Sequence, residues 1–394
     1  MKPTFKYLLH FVLFAICVIT CTLAGSEWIY GRLFFVNEDG IGWSKWLTKE
    51  KFLQGFHFSI PFLLYLTVHE FGHYFTALWY RVRVTLPYYI PLWFGIDMSI
   101  GTIGAFIRIK GNIHSRRQFF DIGIAGPLAG FVVCFATLLY GYLTLPPIEY
   151  IFQIHPEYAK FGRDYALYAY NQDGYTIAIG KSLLILFFEN FVVSDKSLIP
   201  NQYEMMHYPY IFAGHLGLVF TALNLFPIGQ LDGGHILYGL LGEKKHRILA
   251  PVFFSLFLFF AGIGIISPSY ETIDLLIYTP LYIGGLYLMF IRITSQSQTA
   301  FLLSMSIFAG QYVFSFFFPT VQGYSSWLIF CFIIARFLGV YHPAAADDTP
   351  IDLKRKILAY LAFFILIISF SFKPIDIVEL KKTTPLLPKS VAIQ

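Results

Sequence analysis

Charge is scarce in this chain. Only 13% of its 394 residues are Asp, Glu, Lys or Arg, where a soluble domain carries about a quarter. So few charges leave a water-facing surface poorly solvated. The 57% hydrophobic residues and the mean hydropathy of +0.62 point instead to lipid as the solvent. Cysteine is nearly as rare. Cys17, Cys21, Cys134 and Cys331 all fall inside apolar runs, which excludes a disulfide framework and a CxxC metal knuckle. No internal repeat and no low-complexity tract is present. The net charge of +5 is modest and gathers on one side of the apolar runs, which speaks for membrane topology and against a nucleic-acid partner.

Apolar stretches of membrane-spanning length occur near 6–24, 55–78, 119–145, 209–231, 247–266, 275–293, 300–318, 325–341 and 357–372. They predict an all-α polytopic membrane protein of about nine transmembrane helices. Lys2 and Lys6 precede an apolar core that ends TLAG, so the first run reads as a retained anchor or as a signal peptide, with the anchor favoured. Basic residues orient the rest. Arg81, Arg83, Arg108, Lys110, Arg116 and Arg117 stand against the single acid Asp97 between 79 and 118, and EKKHR (243–247), Arg292 and LKRK (353–356) follow the same side. With a cytoplasmic N-terminus, all of these are cytoplasmic and the acidic connection 146–208 lies outside. Its apolar piece 177–193, interrupted by Lys181 and Glu189, reads as an interfacial or re-entrant helix.

Two histidines and a glutamate sit in one of these runs, LTVHEFGHYFTALWY (66–80). Ionisable side chains in a span are costly and mark function. Residues four apart lie about 40° from one another around a helix, so His69 and His73 share a face and meet one Zn²⁺. Glu70 beside them is placed to take a proton from water. Catalytic zinc takes three protein ligands and keeps an open position. The third is expected at the end of the fourth span, TALNLFPIGQLDGGHI (221–236). There Asp232 ends an apolar helix, Pro227 kinks it, and Gly233 and Gly234 free the backbone to turn the carboxylate inward.

HEFGH together with NLFPIGQLDGG resembles the site-2 protease family of intramembrane zinc metalloproteases, whose signatures are HExxH and NxxPxxxxDG. GPLAG at 126–130 and the lack of a segment that fits a PDZ domain resemble that family's PDZ-free, GPLAG-bearing branch. The likeness covers roughly residues 55–235. It implies one zinc ion per chain held by His69, His73 and Asp232, with Glu70 as general base. It also implies that Asn224 holds the substrate carbonyl. The expected substrate is the transmembrane segment of a single-pass membrane protein, and membrane lipid is the other partner. A membrane zinc transporter is the alternative reading.

A helical peptide bond in lipid must be unwound before it is cut, and the freed backbone groups need partners. The stretch 84–111 offers a sheet edge. GAFIRIK alternates in strand fashion, Pro87 and Pro91 discourage a helix, and Gly95, Gly101 and Gly104 permit reversals. A small membrane re-entrant β-hairpin is expected there, as in the family, with Gly104, Ala105 and Phe106 binding substrate by strand addition. The chain then divides into an N-terminal anchor and outer loop (1–54), a catalytic membrane core (55–235) and a C-terminal helical bundle (236–394). No Arg- and Ser-rich leader stands at the start, which favours a bacterial or archaeal cell membrane over an organelle.

Overall fold

A computed structural model describes residues 3–37 and 40–382. Lys2, expected to flank the first span, lies outside the described residues. The first run is a single helix, α1 (Pro3–Tyr30). The connection after it carries two short strands, β1 (Val36–Asn37) and β2 (Gly40–Ile41), and α2 (Lys49–Gln54). The HEFGH run is α3 (Phe56–Trp79). A hairpin of β3 (Tyr88–Leu92) and β4 (Gly101–Phe106) leads to α4 (Arg116–Leu143), which carries GPLAG. Ser115 and Gln118 cap α4 reciprocally, each side chain bonding the other's backbone amide at 3.2 Å.

The segment 144–208 folds as α5 (Glu149–Ile154), α6 (Tyr165–Ala169), β5 (Gly174–Ile179) and α7 (Leu183–Phe187), the last running on into a π-helical turn, Phe188–Val192. Next come α8 (Pro209–Asn224), α9 (Asp232–Leu241), α10 (Glu243–Gly262), α11 (Thr272–Thr294) and α12 (Ser297–Phe317). The chain ends in α13 (Ser326–Ile333) with a π turn to Leu338, α14 (Leu353–Ser369) and β6 (Ile375–Leu380). β5 and β6 pair antiparallel, Gly174 opposite Leu380 and Ile179 opposite Ile375.

The molecule is mainly helical, with a few short strands. Among the described residues five helices are long and apolar enough to cross a membrane: α1 from Tyr7, α4, α10, α11 and α12. The other four expected spans fall outside this set for physical reasons. α3 has the length, roughly 36 Å, but His57, His69, Glu70 and His73 lower its hydropathy. α8 has 16 residues and α14 has 17, and α13 stops after eight.

Three further expectations are corrected. The run 209–231 is not one helix, because α8 stops at Asn224 and Asp232 begins α9 rather than ending a span. The piece 177–193 opens as strand β5 and only then turns helical. There Lys181 donates to Glu189 at 2.8 Å, so the two interrupting charges neutralise each other. Finally, β4 ends at Phe106, short of the alternating pattern, and only the isolated bridge between Val84 and Ile109 continues the pairing.

α4 is the central helix, packed against α3, α8 and α9. One apolar core joins α1, α3, α4, α8 and the 144–208 segment. A second lies among α10, α11 and α13, with α12 against it. A third, built on Phe120, Ile124, Leu225, Ile236, Ala359 and Ile365, connects the two through α14.

Candidate active site

α3 presents His69 and His73 on one face, and both are buried. Glu70, next along the chain, is buried as well, and the Ile107 backbone amide just past β4 faces its carboxylate. The third group arrives by an unusual route. After Asn224 the chain folds into a tight connection held by Phe226 N–H to Leu223 O, Ile228 N–H to Phe226 O and Leu231 N–H to Ile228 O. Pro227 has no N–H to continue α8, and Gly229 at φ +59° makes the reversal. α9 then starts at Asp232, which puts the carboxylate at the positive end of a helix dipole. Gly233 and Gly234 serve close packing rather than turning. A β-carbon on Gly233 would lie 1.9 Å from Leu225 O, and one on Gly234 would lie 2.2 Å from Gly229 O.

This brings three ligand atoms together. His69 Nε2 and His73 Nε2 are 3.1 Å apart. Asp232 Oδ2 is 3.4 Å from the first and 3.3 Å from the second. Tetrahedral zinc with bonds of about 2.0–2.1 Å spaces its ligand atoms about 3.3–3.4 Å apart. The triangle therefore has the size a zinc ion requires, and its donor set of two imidazoles and a carboxylate suits that metal. His73 Nδ1 donates to Ile122 O at 2.7 Å, which fixes the tautomer and leaves the Nε2 lone pair for a metal. His69 Nδ1 is buried without a hydrogen-bond partner. Asn224 Nδ2 points at His69 Nε2 from 3.4 Å, so its amide borders the same small space.

The sequence reading brought together His69, Glu70, His73, Asp232 and Asn224, and the fold places them side by side. It places Gly104, Ala105 and Phe106 differently. They lie on β4, where Gly104 faces Phe220 of α8, Ala105 pairs with Tyr89, and Phe106 stacks on Tyr88. Among the described contacts none joins them directly to the ligand atoms. Tyr89 connects the hairpin to the site helix through its hydroxyl, 2.8 Å from Thr67 Oγ1.

The glycines of and just before GPLAG come closer to the site than the sequence alone reveals. A β-carbon on Gly126 would lie 2.1 Å from His73 Nε2. One on Gly130 would lie 3.2 Å from His69 Cβ, and one on Gly123 would lie 2.6 Å from His235 Cβ. Spaced by three and four, these residues form one bare face of α4 on which α3 and α9 converge. His235 does not face the ligand triangle through its Nδ1, which meets His342 Nε2 at 2.6 Å. His57 pairs with Tyr210 and His215 with the Pro374 carbonyl. The connection 342–352 docks against the start of α4: the Arg116 amide donates to Asp347 O, and the Asp347 amide donates to His114 O.

A buried three-ligand metal centre with an acidic neighbour, carried by a bundle of apolar helices, is the class of site this fold defines. The chain belongs to peptidase family M50, whose model matches residues 57–266. It is 28% identical over 183 residues to a probable zinc metalloprotease, EGY2, chloroplastic, of Oryza sativa subsp. indica, an alignment covering 45% of this chain and 28% of that protein. It is 26% identical over 185 residues to the probable zinc metalloprotease EGY1, chloroplastic, of Arabidopsis thaliana, covering 45% and 28%. The probable zinc metallopeptidase EGY3, chloroplastic, of Arabidopsis thaliana is 27% identical over 232 residues, covering 57% and 36%. The chain thus spans about a third of the length of these relatives. No solved structure matches it. The relatives' names place those proteins in the chloroplast and lend no support to the cell membrane or to the orientation expected from the basic loops.

Proposed function

We propose that this chain is an intramembrane zinc metalloprotease that cleaves the transmembrane segment of a single-pass membrane protein. The observation that carries the reading is the triangle of His69, His73 and Asp232, of zinc-binding size, with Glu70 and Asn224 beside it. Those three side chains would hold the ion. Zinc bound in such a site supplies Lewis acidity and lowers the pKa of water. Glu70 takes a proton from the attacking water and passes it to the leaving nitrogen. Asn224 donates its amide hydrogen to the carbonyl oxygen as charge develops there. The β3–β4 hairpin dips into the membrane and offers backbone groups to the unwound substrate by strand addition. Its proximity to Glu70 through Ile107 supports this role.

The zinc-transport alternative needs a trail of ligands through the bundle. A proton acceptor, Glu70, set beside the ligand triangle favours hydrolysis. The basic loops support a cytoplasmic N-terminus and an active site toward that side. We place the protein in the cell membrane, and fractionation against an organelle marker tests that placement.

The decisive experiment compares Glu70→Gln with the wild type on a single-pass test substrate in liposomes, with zinc measured in both. The variant should lose cleavage and keep its zinc. Full cleavage by Glu70→Gln ends the reading.

A further inference from the structure

A second convergence of ligand atoms lies at the other end of α8. His155 follows α5, and Glu204 and His207 precede α8 by less than two turns. Glu204 and His207 are each 1% exposed. His155 Nε2 and His207 Nε2 are 3.3 Å apart. Glu204 Oε2 is 3.2 Å from His207 Nε2 and 3.9 Å from His155 Nε2. The edges resemble those of the His69, His73 and Asp232 triangle and bracket the spacing of about 3.3–3.4 Å set by a tetrahedral zinc-sized ion.

The hydrogen bonds around this cluster decide what its atoms lack. His207 Nδ1 is 2.7 Å from the Ile29 carbonyl, which can only accept. The ring therefore donates from Nδ1, and in the neutral ring Nε2 carries a lone pair. His155 Nδ1 lies 3.2 Å from Glu157 Oε1, and the same argument applies. Two imidazole lone pairs then face each other. The third corner, Glu204 Oε2, is buried and meets no donor other than these rings, while Tyr170 donates to Oε1 of the same carboxylate. With both rings neutral, three electron-rich atoms meet with no hydrogen between them. A cation answers all three at once, and oxygen acceptors behind both imidazoles are the usual support for metal-binding histidines.

We propose that His155, Glu204 and His207 form a second metal site, taking a divalent transition ion of the zinc type. It is separate from the first by roughly the 24 Å length of α8. The ion ties the 144–208 segment to α1, through the Ile29 carbonyl, and to the start of α8. It acts as a structural clamp and takes no part in hydrolysis.

The test is metal stoichiometry of the full chain, stripped with chelator and reloaded with Zn²⁺ alone. Wild type should hold about two zinc ions per chain. His155→Ala should hold about one, and so should the double variant His73→Ala/Asp232→Ala. A wild type with one ion that His155→Ala retains would overturn the proposal, as would two ions retained in His155→Ala. The first result would mean that a protonated histidine pairs with Glu204 instead. Should His155→Ala fail to fold, Co²⁺ titration of the His73→Ala/Asp232→Ala chain decides. One equivalent bound with visible absorption bands supports the second site, and a featureless titration removes it.

Discussion

Replacing Gly126 with alanine puts one methyl group against a proposed zinc ligand. The new carbon would lie 2.1 Å from His73 Nε2, and ordinary contact begins at 3.4 Å, so ring or helix must retreat by about 1.3 Å. The ring has no room to do this freely, because it is buried and its other nitrogen is bonded to Ile122 O at 2.7 Å. Metal sites tolerate ligand displacements of about 0.2 Å. Disturbing the groups that orient a ligand typically costs about 10–100-fold in metal affinity. A misplacement of about 1 Å costs about 100-fold in rate. Gly126→Ala should therefore lower zinc affinity at least about tenfold, read by competition with a chromophoric chelator, and cleavage about 100-fold. The expectation runs against helix propensity, which favours alanine over glycine by about 0.5–1 kcal/mol within a helix. Gly284 in α11 provides the control, since nothing lies within 4 Å of the β-carbon it would gain. Gly284→Ala should keep zinc and activity and unfold no earlier than wild type. If Gly126→Ala binds zinc and cleaves like the Gly284 variant, the packing of α4 against His73 is not what holds the ligand in place.

Asn224→Ala should lower kcat by about 10²–10³ while zinc content stays at the wild-type level; an unchanged kcat would remove Asn224 from the reaction. Gly233→Ala drives a carbon to 1.9 Å from the Leu225 carbonyl, so the connection between α8 and α9 must open. The expected outcome is a lower thermal unfolding temperature in detergent together with loss of zinc. Lys181→Met leaves the Glu189 carboxylate buried without its cation and should cost roughly 3 kcal/mol. The double variant Lys181→Met/Glu189→Leu should recover most of that loss, and additive losses would show the pair to be uncoupled.

Much of the active site was legible because it is written in short spacings. HEFGH puts two imidazoles on one helix face by geometry alone, and a buried glutamate beside them has few structural uses. Asp232 was expected beside the two imidazoles, and the fold brings it there by a different local route. The apolar run from 209 to 231 reads as one span, and hydropathy cannot register that Pro227 lacks a donor or that Gly229 takes a positive φ. Asp232 therefore looked like the end of a helix when it is the start of one. GPLAG was visible as small residues, but a sequence does not say which neighbour occupies the space that a glycine vacates. The His155, Glu204 and His207 cluster was out of reach, because about fifty residues separate its first member from the others. IDIVEL at 375–380 alternates as a strand should, yet its partner lies some two hundred residues earlier.

That distant partnership joins the two ends of a long stretch of chain. Strands β5 and β6 are bonded along six residue pairs, so both ends of the intervening chain are held together at one place in the fold. Whatever crossings lie between them have to return the polypeptide to its starting side. α8, α10, α11, α12, α13 with its π turn, and α14 make six traverses if each one crosses, and α7 must then return to the side from which it came. The His207 ring bonded to the Ile29 carbonyl applies the same parity to α3 and α4. Two local stitches therefore require any assignment of crossings to bring the chain back to where each stretch began, whichever face of the membrane proves to be inside.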